Sequence, residues 1–566
     1  MNETHRKETV RMNRLAITAL AALIILVPLS RAEAQDARML NAHDAPLAWG
    51  YLDRILGGRN IPTTIQSLSV HEADFYGIDT GFAPLDKPKV SGKYIVHPYA
   101  MGWNNLDVSR HLTDSSIIDR LKLDDPVLAA GVTFGVTSFF ATMQIDFSTD
   151  SLARYAESDG ISGFWVPGDY AQYWTFPEEG YLAFSSGNCT VAAGRLRTGI
   201  GLGDVNVFLN GDARWYDQVQ FSWFSDKFRF FGFLATSSSY LEDEEYRIQS
   251  YSAFDGDDSW GWDTINNHDA STQSVIPFKL FTYHRLEFKP FDRIGFGLGE
   301  MQLVGGKVPD LQNLLPSVVW HNTYSAGVSN VMAHADFWAV PIKGLLAYGE
   351  FVMDDTKAPK ESGASKPKCW AWELGTTWVL PVDSRDWRFS LNAEWSHADE
   401  WTYDRWQPYL TMYQRQLITG GHAALDTPLG HPEGGDVDEL ALRFTALTRD
   451  GRKIAVGYSW ICKGPVYLGM VSDAQYDVNG TLTNLPVYYD FDDYAGDGAL
   501  ASVLGTVRKH THALTLDASW PIVPNVEASA GVDVRLVLNA GHVAGAREIE
   551  SLWKAGVKWS YDGSTR

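Results

Sequence analysis

From residue 386 the chain reads "DWRFSLNAEWS". Trp387, Phe389, Leu391, Ala393 and Trp395 alternate strictly with Arg388, Ser390, Asn392, Glu394 and Ser396. A period of two is the mark of a strand with one apolar and one polar face. Asn525 to Leu536 repeats it, with Val526, Ala528, Ala530, Val532, Val534 and Leu536 on one side. "SLWKAGVKWSY" does so again, setting Trp553, Ala555, Val557, Trp559 and Tyr561 against Lys554, Lys558 and Ser560. Any half-solvated antiparallel sheet would show this pattern, so the connections have to decide between architectures.

The connections alternate in length. Tight polar turns are expected at Ser225-Asp226-Lys227, Lys289 to Asp292, Pro341-Ile342-Lys343, Pro381 to Arg385, Arg449 to Arg452 and Pro521 to Pro524. Long loops fall between them, near residues 239–275, 304–329, 354–369, 397–436 and 462–508. Short turns at one end and long loops at the other characterise an outer-membrane barrel. Only helices and closed barrels satisfy the backbone inside lipid, and only the barrel has period two. Trp387, Trp395, Trp553 and Trp559, at strand ends, suit the two interfacial girdles. Six hairpins after about residue 199 and about six strands between 90 and 198 predict an all-β fold, a transmembrane antiparallel β-barrel of about 18 strands.

Two segments precede that barrel. Arg6, Lys7, Arg11 and Arg14 form a positive start, Leu15 to Val27 is apolar apart from Thr18, and Ala32-Glu33-Ala34 is a small-x-small cleavage signal. Residues 1–34 therefore read as a secretory signal peptide cleaved near Ala34. Residues 35–88 do not alternate. "PLAWGYLDRILGGRNIPT" predicts a short amphipathic helix stopped by Gly57-Gly58, in a periplasmic or plugging segment. The barrel is expected over 89–566. No later stretch reaches the roughly 18 consecutive apolar residues of a spanning helix.

Composition narrows the function. Aromatic residues make up 13% of the chain, too many for a disordered polypeptide. The net charge of −22 repels polyanions and argues against nucleic acid as a partner. Cys189, Cys369 and Cys462 form no disulfide framework: one pair bridges two loops, or all three stand unpaired. No metal-ligand spacing, nucleophile elbow or cofactor motif occurs, so neither metal, cofactor nor enzyme activity is expected.

The stretch "GRLRTGIGLGDVNVFLN" contains Gly199, Gly201 and Gly203. A dinucleotide fingerprint sets its glycines between a buried strand and a helix. Here the spacing is G-x-G-x-G and a hairpin follows, so a mobile or bulged connection is expected instead of a phosphate cradle.

The same stretch resembles a segment of the Wzi-type capsule assembly family. "HRLEFKPFDRIGFGLGE" (His284 to Glu300), "LLPSVVWHN" (Leu314 to Asn322), "YGEFVMDD", "LNAEWSHADEWTY" (Leu391 to Tyr403) and "PLGHPEGGDVDELAL" (Pro428 to Leu442) are similar to that family in the same order, and "YLDRIL" to the helical piece before such barrels. The resemblance spans about residues 45–460. It implies an 18-stranded outer-membrane barrel with a helical plug and lectin-like, non-catalytic binding of surface polysaccharide. The chain ends "WSYDGSTR" where such barrels usually end on an aromatic residue.

Candidate residues fall into two groups. The polar face of the strands carries Arg285, Glu287, Glu350, Asp354, Arg388 and Glu394, expected to line the lumen as an ion-pair network or a polar path. Arg443, Asp517, Glu527, Asp533 and Arg535 share that face. Glu300 has the parity of Ile294, Phe296 and Leu298, so only a bulge would turn it inward. Among the long loops, "FDGDDSWGWD" offers Trp260 and Trp262, and "YYDFDDYAGDG" offers Tyr488, Tyr489, Asp490 and Asp492. Aromatic faces stack on sugar rings and carboxylates accept hydroxyl hydrogen bonds. A passive diffusion porin and a secreted β-rich carbohydrate-active protein are the competing readings.

Overall fold

A computed structural model describes residues 35–82, 85, 87–107, 117–121, 125–149, 162–165, 173–242, 276–306, 308–315, 329–355, 369–405, 407–418, 423–466, 475–476, 482–484 and 507–562, with a few single residues between them. Its main body is a closed antiparallel barrel. Lys89–Val96 and Tyr99–Asp107 are one stave broken at His97-Pro98, since both pair with the last strand, Arg547–Asp562. Ser162–Trp165 continues the line of Pro126–Val136 by pairing with Tyr99–Asp107. Merging these pieces leaves 18 staves. Thirteen begin after residue 199 and five before it, against the twelve and six expected. The difference arises because the final strand belongs to none of the six tight-turn hairpins: it follows Val526–Leu538 through a longer connection and closes the barrel on the first.

The turns fall where the sequence put them. Phe224 and Phe228, Phe291 and Ile294, Ile342 and Leu345, Val379 and Trp387, Thr448 and Lys453, and Val523 and Val526 bound the six expected short connections. Val136 to Phe139 and Ser186 to Cys189 add two more at the same end. That short-turn end is the periplasmic one by the usual rule for such barrels. Apolar side chains of the alternating strands face outward: Leu298, Trp395, Leu514, Trp553 and Trp559 are all exposed. No cysteine is bridged.

Helix α1 (Ala45–Leu56) buries the stripe Leu47, Tyr51 and Ile55, four residues apart on one face. Gly57 caps it, and Gly58 turns the chain at φ 77°. Met39–Asn41 then pairs with Ser67–Ser69, and Ser69 caps α2 (Val70–Phe75) by accepting the Glu72 backbone N–H at 3.0 Å. Wall residues Trp338, Val340 and Tyr348 pack on α1, and Val207, Phe208 and Leu209 join Met301, Leu303 and Met332 in a second apolar cluster. Large barrels usually have polar, watered lumens; half of this one has an apolar core.

Glu300 keeps the parity read from the sequence, and no bulge turns it inward. The register with both neighbours is unbroken from Ile294 to Val304, apart from a shift at the turn. Glu300 therefore stays on the outer face, where the Trp320 backbone N–H donates to it at 2.7 Å and His284 lies 3.4 Å away.

Candidate functional site

The glycine-rich connection is neither a phosphate cradle nor a loose loop. It leaves the long-loop end after Leu196, folds into the lumen and returns at Tyr216. Its first residues are zipped to the N-terminal segment, with Gln66 N–H donating to Gly199 O at 2.9 Å and Gly201 N–H to Thr64 O at 3.0 Å, and the loop closes on itself where Ile200 N–H donates to Leu209 O at 2.8 Å. Close approach explains the glycines. Gly201 has φ 121°, and a side chain there would run into Asn206. One at Gly199 would run into Gln66.

Wall carboxylates hold this loop. Glu350, Glu373 and Glu394 stand on three consecutive strands, all facing inward. Glu394 accepts the backbone N–H of Asp204 at 2.9 and 3.0 Å, that of Val205 at 3.2 Å and the Tyr348 hydroxyl at 2.7 Å. Glu350 accepts Val207 N–H at 2.8 Å and pairs at 2.9 Å with His334. The His334 ring stacks on Phe208 at 4.2 Å and 9°. Tyr403 donates to Val207 O at 2.5 Å, and Asn210 to Pro428 O and Gly430 O at 2.9 and 2.6 Å. Beside that last contact His431 is fully buried. Its Nδ1 accepts Glu433 N–H at 3.1 Å and its Nε2 meets Ser396 Oγ at 3.1 Å. Burial first, then the nearby Lys463 and His397, push its pKa down to about 3, so the ring is neutral.

The N-terminal segment is held by a second set of wall charges. Thr63 donates to Glu287 at 2.5 Å and Thr64 to Asp336 at 2.7 Å. Arg285 completes the cluster, 3.1 Å from Glu287 and 2.9 Å from Asp336. Glu72 of α2 pairs with Arg229 at 2.5 Å, both shielded from water. Asn60 donates to Trp338 O, and the Trp338 indole N–H to Ile61 O, each at 3.0 Å. At the periplasmic rim Arg388 reaches Asp53 at 2.7 Å and stacks over Trp49.

Thus Arg285, Glu287 and Arg388 meet the N-terminal segment, and Glu350 and Glu394 meet the inward loop. Asp354 receives Tyr403 N–H at 3.0 Å and Arg405 at 3.1 Å, anchoring the next loop. Glu373, Asp336, Arg229 and His334 share the inward parity but were not singled out from the sequence. Glu373 is 1% exposed and its Oε1 meets no hydrogen-bond partner among the described residues. Trp260, Trp262, Tyr488, Tyr489, Asp490 and Asp492 lie outside the described residues, as do residues 1–34, expected from the sequence to be a signal peptide.

The filling is one-sided. Inward positions from Gln218 to Ser396 are mostly buried, whereas Arg443, Asp517, Ser529, Asp533 and Lys558 are not. Asp517 has 57% of its side chain exposed. A polar cavity of about 920 Å³, bordered by Lys93, Gln144, Glu179, Arg197, Asp212 and Arg443, occupies part of the other side. On the same wall Arg120 of Ile117–Leu121 bridges Asp533 and Glu550 at 2.9 and 3.1 Å.

Among solved structures, the chain is similar to Wzi from Escherichia coli, described as an outer membrane protein involved in group 1 capsule assembly and a carbohydrate-binding β-barrel. Identity is 12% and the TM-score 0.50, over 93% of this chain and 100% of that one. OccAB4 of Acinetobacter baumannii is similar at 9% identity and TM-score 0.39, over 84% of this chain and 98% of that one. OprD of Pseudomonas aeruginosa gives 10% and 0.37, over 83% and 94%. No curated protein matches in sequence. The model of the capsule assembly protein Wzi family matches residues 175–546, the greater part of the chain, and this chain belongs to that family.

Proposed function

We propose that this outer-membrane barrel binds or organises surface polysaccharide without chemistry, and that its lumen is occluded by residues 35–88 and the loop 197–215. The observation that carries the reading is the family match over residues 175–546. Carbohydrate binding is a property stated for the related Wzi barrel. The wall residues Arg285, Glu287, Glu350, Asp354, Arg388 and Glu394 serve occlusion in this reading: each is already engaged by a segment inside the barrel. Sugar contact then falls to the outer loops, with Trp260, Trp262, Tyr488 and Tyr489 as stacking faces and Asp490 and Asp492 as hydroxyl acceptors.

The test compares cells carrying wild type with cells carrying Trp260→Ala, Trp262→Ala, Tyr488→Ala and Tyr489→Ala together. Each lost stacking contact removes about 0.5–1.5 kcal/mol, so glycan retention falls several-fold while heat-modifiable barrel persists. Unchanged retention removes these loops as the site.

A second reading, a diffusion porin, has one observation in its favour: the cavity beside Arg443. Purified protein in a planar bilayer separates the two. Occlusion gives little steady current, and large stable channels favour the porin.

A further inference from the structure

The outer wall carries a furrow of about 710 Å³. We infer that it is a binding site for one phospholipid of the inner leaflet, with an acyl chain in the furrow and the phosphate at Arg452 and Arg385.

Register explains the furrow. Thr376, Ala393, Leu442, Tyr458 and Leu514 are cross-strand neighbours in one outward row. Leu345, Trp378, Leu391, Phe444 and Val456 form the next row towards the short turns. The groove runs between these rows, deepened where the small side chains of Thr376 and Ala393 face the large Trp378 and Leu391. Its rims are exposed: Trp378, Leu391, Leu442, Val456 and Leu514 all lie open on the face that meets lipid.

From the furrow a line of rings leads to the membrane edge. Phe444 stacks on Phe389 at 6.3 Å, Phe389 on Trp387 at 6.2 Å, and Trp387 meets Trp520 at 5.9 Å. The Arg452 guanidinium sits 5.3 Å above Trp520. Four residues of strand, about 13 Å, separate Arg452 from Val456. Arg452 pairs with Asp450 at 3.3 Å, yet its shielded Nε meets no acceptor among the described residues. Arg385 is exposed on the adjoining turn. A guanidinium with free donors beside tryptophans at the interface matches a phosphate diester, and the apolar furrow matches its acyl chain. The short-turn end is periplasmic, which sets the leaflet and selects phospholipid over the lipid A of the outer leaflet.

The test is native mass spectrometry of full-length protein in detergent, titrated with dioleoyl phosphatidylglycerol. Wild type should hold one lipid. Ala393→Phe, which fills the furrow, should weaken it at least about tenfold, and Arg385→Gln with Arg452→Gln by about three- to tenfold. Heat-modifiable mobility shows that each variant folds. Equal lipid retention by wild type and Ala393→Phe overturns the inference. So does a dimer that Ala393→Phe dissociates, since the furrow is then an interface between copies, or tighter binding of lipid A at the furrow. Glycan retention should not change in any of these variants, so the outcome stands apart from the polysaccharide reading.

Discussion

Glu394 and Asp204 are 190 positions apart, yet the carboxylate of one receives the backbone N–H of the other at 2.9 and 3.0 Å. The same carboxylate takes Val205, so a wall strand satisfies backbone N–H groups of the loop that have no sheet partner of their own. Hydrogen bonds to a charged acceptor contribute about 1.5–3 kcal/mol each, more than neutral ones.

Glu394→Ala should therefore free the tip of the loop. A loss of about 3 kcal/mol raises the detached population on the order of 100-fold. Hydrogen exchange at residues 203–207 should speed up by that factor, and brief current openings should appear in a bilayer. Unaltered exchange there would show that the apolar packing of Val207, Phe208 and Leu209 holds the loop alone.

Arg229→Met strands Glu72 without its cation and leaves Glu287 with Arg285 alone. Breaking one partner of a buried ion pair costs about 3–5 kcal/mol. The temperature at which the protein shifts to its unfolded gel mobility should fall clearly. Adding Glu72→Met should recover part of the loss, because the uncompensated charge then goes too.

The turn that holds His431 should weaken in acid. The folded pKa, about 3, lies below the ordinary value of 6.5. A neutral ring is thus required, and its contribution is complete above pH 6.5 and lost as pH falls towards 3. At pH 5 the cost is about 2 kcal/mol. Hydrogen exchange over residues 429–436, compared at pH 7.5 and 5, should show extra opening in wild type and none in His431→Gln once the intrinsic pH dependence is removed.

Deleting residues 35–88 should leave a folded barrel whose lumen is lined by Arg229, Arg285, Glu287 and Asp336 without Glu72, Thr63 and Thr64. Conductance in planar bilayers should rise from near zero to stable channels. Unchanged current would remove the occluding role of this segment.

The barrel was legible because bilayer and sheet impose rules within a few residues: period two, tight turns, aromatic ends. Helix α1 was legible for the same reason, since its apolar spacing and Gly57-Gly58 are local. The break at His97-Pro98 and the added piece at Ser162–Trp165 blurred the count of early staves, because they leave the total pairing intact while interrupting the pattern. Glu373 stood on the visible parity of "CWAWELGTTWV", yet nothing nearby shows that its neighbours across the wall are also carboxylates. The course of the loop at Gly199 was not legible at all. Its partners lie more than 100 positions away in both directions, at Thr64 and Gln66 and at Glu350 and Glu394, and spacing carries no trace of a hydrogen bond between Val207 and Glu350.

Thr64 and Gln66 approach from the periplasmic end, Gly199 and Gly201 from the outer end, and they bond to each other inside the barrel. Two backbone hydrogen bonds, and no strand of the wall, therefore join a segment entering from one side of the membrane to a loop entering from the other. A load applied to the outer loop is carried directly to the periplasmic segment, as along a tie rod. The protein thus has a mechanical connection through the interior of the barrel, braced against the wall at Glu287, Asp336, Glu350 and Glu394.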